Sequence, residues 1–228
     1  MIDPVRDLAS VREATELLLT AAAGLDNAAV AGPSRLPGWS RGHVLAHLAR
    51  NADALVNVLE GRPMYVDAAS RDADIARDAH RPLDAQLRDV RDTDARFRRT
   101  ADVPADWTRT VALRNGVTDS ASRLPFRRWV EIELHHVDLD IGRELDDLSE
   151  EFVTREIDFL AERFSGHPDV PPLTLTAPGG RTWTSGGRNG DPRTVTGPAS
   201  GLMGWLAGRG DGAGLESPGG LLPVLPPL

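Results

Sequence analysis

The stretch EIELHHVDLD, residues 131–140, sets Glu131, Glu133, His135, His136, Asp138 and Asp140 among four aliphatic residues. Carboxylates and imidazoles are the side chains that hold divalent ions. On a helix, residues four apart stack on one face. Glu131 and His135 therefore share a face, and Asp138 continues the stripe at the next turn. Glu133 and His136 are rotated away from it by about 200° and about 100° in turn, and they read as flanking or solvent-facing bystanders. A second stretch, RGHVLAHLARNAD, residues 41–53, aligns His43, His47 and Arg50 or Asn51 by the same steps. If the two segments pack side by side, a histidine of the second meets the Glu131/His135 pair. Two imidazoles and a carboxylate suit zinc and leave a fourth position for water or substrate, as in catalytic rather than structural sites. Asp138 falls behind them, placed to hold an imidazole N–H or a neighbouring arginine. An i,i+4 Glu–His pair is also an ordinary surface hydrogen bond, and no HExxH occurs. Spacing alone leaves both readings open. His80 and His167 sit in Pro- and Asp-containing loops and read as solvated, and neither His43 nor His136 is expected as a ligand.

Both stretches need helices to present them. Ser40 is a suitable N-cap for a helix running to about Glu60, where Gly61 and Pro63 stop it. The 131–140 stretch continues a helix expected to start near Asp119 or Ser120 and to end near Ile141. Three further helices are expected. Ile2, Val5, Leu8, Val11, Ala14, Leu18, Ala22 and Leu25 recur at three- and four-residue steps. Leu83 to Phe97 is periodic with a charged face, and residues 149–165 open on Ser149 followed by acids. After Gly166 the character changes: 15 of the 22 glycines lie from there to the C-terminus. LTLTAP, RTWTS and RTVTG alternate as short strands between Gly/Pro turns, and SGLMGWLAG reads as a last helix. The expected class is mainly α with a small α+β domain: a helical bundle over residues 1–165, then a small α+β domain over 166–228. The proline-rich tail GGLLPVLPPL is expected to lie on the surface or extend freely.

Composition narrows the function. The net charge of −8 argues against nucleic acid, and no apolar run is long enough to span a membrane. The N-terminal residues lack a signal-peptide pattern, so the expected location is cytoplasmic. There is no cysteine, which excludes thiolate metal ligands and an intrinsic thiol nucleophile. All 26 basic side chains other than histidine are arginine, as codon bias in a GC-rich genome produces.

LPGWSRGHVLAHLARNADAL, followed by WVEIELHHVDLDIG and then LMGWLAGRGDGAGL, resembles the mycothiol-dependent maleylpyruvate isomerase family across nearly the whole chain. The resemblance implies a DinB-like up-down four-helix bundle followed by a small α+β domain. It implies a divalent metal, typically zinc, on His47, Glu131 and His135, and a catalytic role for Arg209. It implies mycothiol as a low-molecular-weight thiol cofactor, matching the missing cysteine. The activity implied is isomerisation of maleylpyruvate to fumarylpyruvate by reversible thiol addition to the cis double bond, with Arg209 stabilising developing negative charge. The expected partners are a small-molecule substrate and the thiol. The same architecture also admits a mycothiol S-transferase, which would consume the thiol in a stable conjugate. From other classes, a non-catalytic metal-binding regulatory protein and a metal-dependent hydrolase stay open, the latter without a separate general base in view.

Overall fold

The protein, described here from a computed structural model, is resolved in description over residues 2–102 and 106–227. Helix α1 (Pro4–Ala22) starts where the Asp3 carboxylate accepts from the Arg6 N–H at 3.1 Å, with proline in the first turn where no backbone donor is needed. A short α2 (Asn27–Ala31) leads to the LPGWS segment and α3 (Arg41–Leu59). Two more helices follow, α4 (Ala68–Asp78) and α5 (Leu83–Asp102). Strands β1 (Thr110–Ala112) and β2 (Thr118–Ser120) form an antiparallel hairpin, and a 3-10 turn then enters α6 (Leu124–Asp138). The later start of α6 has a local cause. Residues 118–120 are taken up by β2, and Asp119, expected to open the helix, accepts from Arg127 Nε at 2.7 Å.

Helices α1, α3, α5 and α6 form a four-helix bundle in which α3 touches both α5 and α6, and α1 touches the same two. Its core is apolar: Val11, Leu18, Leu45, Leu48, Leu55, Phe97 and Ile132 are all almost completely buried. Each such side chain contributes roughly 1.5–3 kcal/mol by leaving water. Helices α3 and α6 run antiparallel. Arg41 near the start of α3 meets Leu139 and Asp140 after the end of α6, and Leu48 and Asn51 further along meet Arg128 near its start.

The N-terminal compact unit ends at Arg143 and the second begins at Glu144. In the second, α7 (Glu150–Phe164) packs against α8 (Ala199–Leu206) and against an edge strand of a three-stranded sheet. That sheet is ordered β4 (Thr182–Ser185), β3 (Leu173–Thr176), β5 (Arg193–Thr196), with β3 antiparallel to β4 and parallel to β5. The unit boundary therefore differs from the one expected after residue 165. Trp183 Nε1 donates to Asp158 at 2.6 Å, Ser185 Oγ donates to the Ala161 carbonyl at 2.7 Å, and Phe152, Ile157 and Phe164 are buried. The apolar face of α7 is thus covered by its own downstream sheet, so the helix belongs with the strands. Among the described residues, no helix is long and apolar enough to cross a membrane.

Candidate metal centre

The LPGWS segment sets the start of α3. Gly38 takes a positive φ of 80° to make the turn. Trp39 is held by its carbonyl, which accepts from Ser34 N at 2.9 Å and Ser34 Oγ at 2.8 Å. Ser40 caps α3 through a reciprocal box in which its Oγ accepts from His43 N, and His43 Nδ1 accepts from Ser40 N at 3.2 Å. His43 is thereby committed to the helix start, and its ring packs edge-on against exposed His80, 5.8 Å between centroids. The segment also clamps the end of α6: Arg35 N donates to the Asp138 carbonyl at 2.8 Å and Arg41 Nε to the Leu139 carbonyl at 2.7 Å.

One turn beyond His43, that clamp brings His47 against α6. His47 Nε2 lies 2.9 Å from Glu131 Oε2, and His135 Nε2 lies 3.3 Å from the same oxygen. Ligand atoms of all three side chains fall within 4.8 Å of one another. The two imidazoles are buried and cross edge-to-face at 4.6 Å, while Glu131 is half-buried. Behind His135, Asp138 Oδ2 stands 2.8 Å from Nδ1. A carboxylate only accepts, so it favours the proton on Nδ1 and leaves the Nε2 lone pair facing Glu131 and His47. This is how a metal-ligating histidine is usually oriented.

The electrostatics suit cation binding. Burial lowers the His47 pKa to about 4, outweighing Glu131, so the ring is neutral near pH 7. Burial alone would also lower His135, but Asp138 and then Glu131 raise it. Burial pushes Glu131 upward, yet contacts from His135 and His47 prevail and hold it well below the usual carboxylate range. A carboxylate and neutral imidazoles are the ligand forms a divalent cation takes, and any imidazole proton facing the cluster is one it would displace.

The remaining polar residues of the two stretches are structural. Glu133 and His136 are buried, against the solvent-facing expectation. Glu133 accepts from Trp129 Nε1 at 3.3 Å and from Arg143 at 2.9 Å. Burial, helped by Arg143, lowers the His136 pKa to about 4. Their rotation away from Glu131 turns these groups into the protein rather than into water. Arg50 pairs with Asp78 at 2.7 Å and with Asp89 at 2.9 Å, and Asn51 accepts from Arg128 at 3.0 Å. Arg209 lies beyond the end of α8 in the C-terminal unit, where NH1 donates to the Ala207 carbonyl at 2.9 Å.

Two residues beside the cluster carried no periodic signal. Arg71, on α4, donates from NH2 to His47 Nδ1 at 3.2 Å. Tyr65, the chain's single tyrosine, lies under the Arg71 guanidinium at 5.8 Å, and burial followed by the Glu131 charge raises its pKa. The available sequence cue was Asp67 with Ser70, a cap spacing that α4 uses at 2.7 Å.

Comparison with known proteins agrees with this architecture. Residues 11–140 match the family model described as mycothiol maleylpyruvate isomerase N-terminal domain, and residues 147–227 match the corresponding C-terminal domain. A search of curated protein sequences found no match. A crystal structure of a mycothiol-dependent maleylpyruvate isomerase is similar at 26% identity and a TM-score of 0.89, covering 99% of this chain and 97% of that one. A histidine-to-alanine mutant of such an isomerase is similar at 26% identity and a TM-score of 0.90, with the same coverage. With both domain models matched in order over most of its length, the chain belongs to the mycothiol maleylpyruvate isomerase family.

Proposed function

We propose that this protein is a metal- and mycothiol-dependent isomerase that converts maleylpyruvate to fumarylpyruvate. The observation that carries the proposal is the convergence of His47, Glu131 and His135 within 4.8 Å, in a chain of this family. The donor set fits a divalent ion: two imidazole nitrogens and one carboxylate oxygen, with a carboxylate behind His135. His47, Glu131 and His135 would hold the metal. When bound, metal and mycothiol together would supply a thiolate near neutral pH, the nucleophile that reversible addition to a cis double bond requires. The cysteine-free chain has no thiol of its own to compete for that role. Asp138 keeps the Nδ1 proton of His135 away from the metal side. Arg209, assigned by family resemblance, stabilises negative charge as it develops on the substrate oxygen.

Isomerisation returns the thiol, whereas the alternative S-transferase consumes it. The test is incubation of the zinc-loaded protein with mycothiol and maleylpyruvate, following the trans product by chromatography and free thiol by titration. The proposal expects trans product with thiol conserved. Stoichiometric thiol loss into a conjugate would replace it with the transferase reading. Absence of any thiol-dependent chemistry, with His47→Ala, Glu131→Ala and His135→Ala affecting only melting temperature, would leave a non-catalytic metal protein.

A further inference from the structure

Beside the His/Glu cluster, entirely within the N-terminal unit, lies a cavity of about 790 Å³. That is ample for a small metabolite. Its lining contains four arginines and two aspartates, in a chain whose net charge is −8. Positive charge is therefore concentrated there against the sign of the whole molecule.

The charged residues are not equivalent. Arg109 is committed to the end of α3, its NH2 donating to the Val58 carbonyl at 3.0 Å and also to that of Leu59. Arg62 is tied to Asn57 and Glu60. Asp67 caps α4 by accepting from Ser70 N at 2.7 Å. Arg71 and Arg114 remain. Arg114 is exposed in the turn of the β1–β2 hairpin. Arg71 is mostly buried; NH1 pairs with Asp72 at 2.7 Å and NH2 donates to His47 Nδ1, while buried Nε has no hydrogen-bond partner.

A mostly buried guanidinium with an idle donor, resting another donor on a neutral imidazole, is incompletely satisfied. Guanidinium groups are best matched by a planar carboxylate, which takes two parallel N–H bonds. Arg71 is also the cavity-lining residue that touches a member of the His/Glu cluster, so a carboxylate bound to it stands next to His47. Tyr65 lines the same cavity and can donate its hydroxyl.

We propose that this cavity binds a small dicarboxylate, with Arg71 clamping the carboxylate nearest the His/Glu cluster and Arg114 engaging the other at the cavity mouth. Arg71 and Arg114 are then specificity-determining residues, with Tyr65 as a further donor to the inner carboxylate. The inference deepens the isomerase reading and rests on it for the identity of the cluster as the reacting centre. Anion binding itself needs only this cavity.

The test is calorimetric titration of maleate, a stable cis-dicarboxylate, into the full-length zinc-loaded protein without thiol. Crotonate, with one carboxylate, serves as the comparison. The expected result is maleate binding that weakens roughly tenfold or more in Arg71→Met and severalfold in Arg114→Met, with crotonate weaker than maleate. Arg71→Lys, which keeps charge but loses the fork, should recover only part of the loss. Because Arg114 is exposed, its variant remains informative if Arg71→Met fails to fold. Maleate affinity unchanged in Arg114→Met and in either folded Arg71 variant would overturn the proposal, as would no binding to the wild type at millimolar concentrations. If Arg71-dependent maleate binding occurs but no thiol-dependent chemistry is found, the isomerase reading fails and the subsite stands. If isomerisation occurs while maleate binding ignores both arginines, the subsite fails alone.

Discussion

His135 presents one ring nitrogen to Glu131 and the other to Asp138, and this division of labour makes it usable as a ligand. Asp138→Asn removes the charge that holds the Nδ1 proton. Zinc affinity, measured by competition with a chromophoric chelator, should fall about 10–100-fold, with helix content by circular dichroism unchanged. A second consequence concerns His136, whose pKa burial lowers to about 4. A histidine that is harder to protonate folded than unfolded contributes fully above its unfolded value near 6.5. That contribution is lost as pH falls from 6.5 toward 4, at a limiting slope of about 1.4 kcal/mol per pH unit. His136→Gln cannot titrate. Urea denaturation at pH 7 and pH 5 should show a smaller stability loss for this variant than for the wild type.

At the scale of the element, the site depends on how α3 and α6 are held together beneath it. Arg128 is fully buried and bridges them, NH1 donating to the Leu48 carbonyl at 2.8 Å and to Asn51 at 3.0 Å. Its Nε is 3.5 Å from buried Asp94 on α5. Removing one member of a buried pair costs about 3–5 kcal/mol, but Arg98 also pairs with Asp94, at 2.9 Å. Arg128→Ala should therefore lower stability by about 2–4 kcal/mol in urea denaturation. Gly42, in the first turn of α3, lies against the end of α4. A Cβ there would come 2.2 Å from the Ala79 carbonyl oxygen. Alanine improves helix propensity by about 1 kcal/mol, whereas forcing apart packed backbone costs about 1–3 kcal/mol. The clash is with backbone rather than a movable side chain, so it wins: Gly42→Ala should lower the melting temperature.

For the whole molecule, the candidate metal ligands and the proposed catalytic arginine belong to different compact units. Metal binding and turnover should therefore separate on mutation. Arg209→Gln should leave zinc stoichiometry and affinity unchanged while lowering the turnover number by about 10²-fold, the loss typical of one charge-stabilising donor. Equilibrium dialysis measures the first and steady-state kinetics the second. Reduced zinc affinity in this variant would show that Arg209 supports the ligands instead.

The helical phase of EIELHHVDLD was enough to pair Glu131 with His135 and to set Asp138 behind them, because i,i+3 and i,i+4 relations are local properties of a helix. Periodicity likewise identified α1 and α5, since each needs a continuous buried stripe, and the Ser40 cap with the Gly61 and Pro63 stop identified α3. Spacing could not choose between His43 and His47. That choice depends on the LPGWS clamp to the end of α6, which commits His43 to a cap and slides His47 against Glu131. The burial of Glu133 and His136 was equally illegible, because the core that closes over them is built from other elements. Helix α4 shows why Arg71 escaped notice: of its residues only Ile75 and Asp78 are buried, so it carries almost no hydrophobic stripe. Local periodicity thus determined the helices and which residues share a face on them. Only packing decided which faces meet, which polar groups lose their water, and which arginine stands beside His47, because those depend on contacts between segments far apart in the chain.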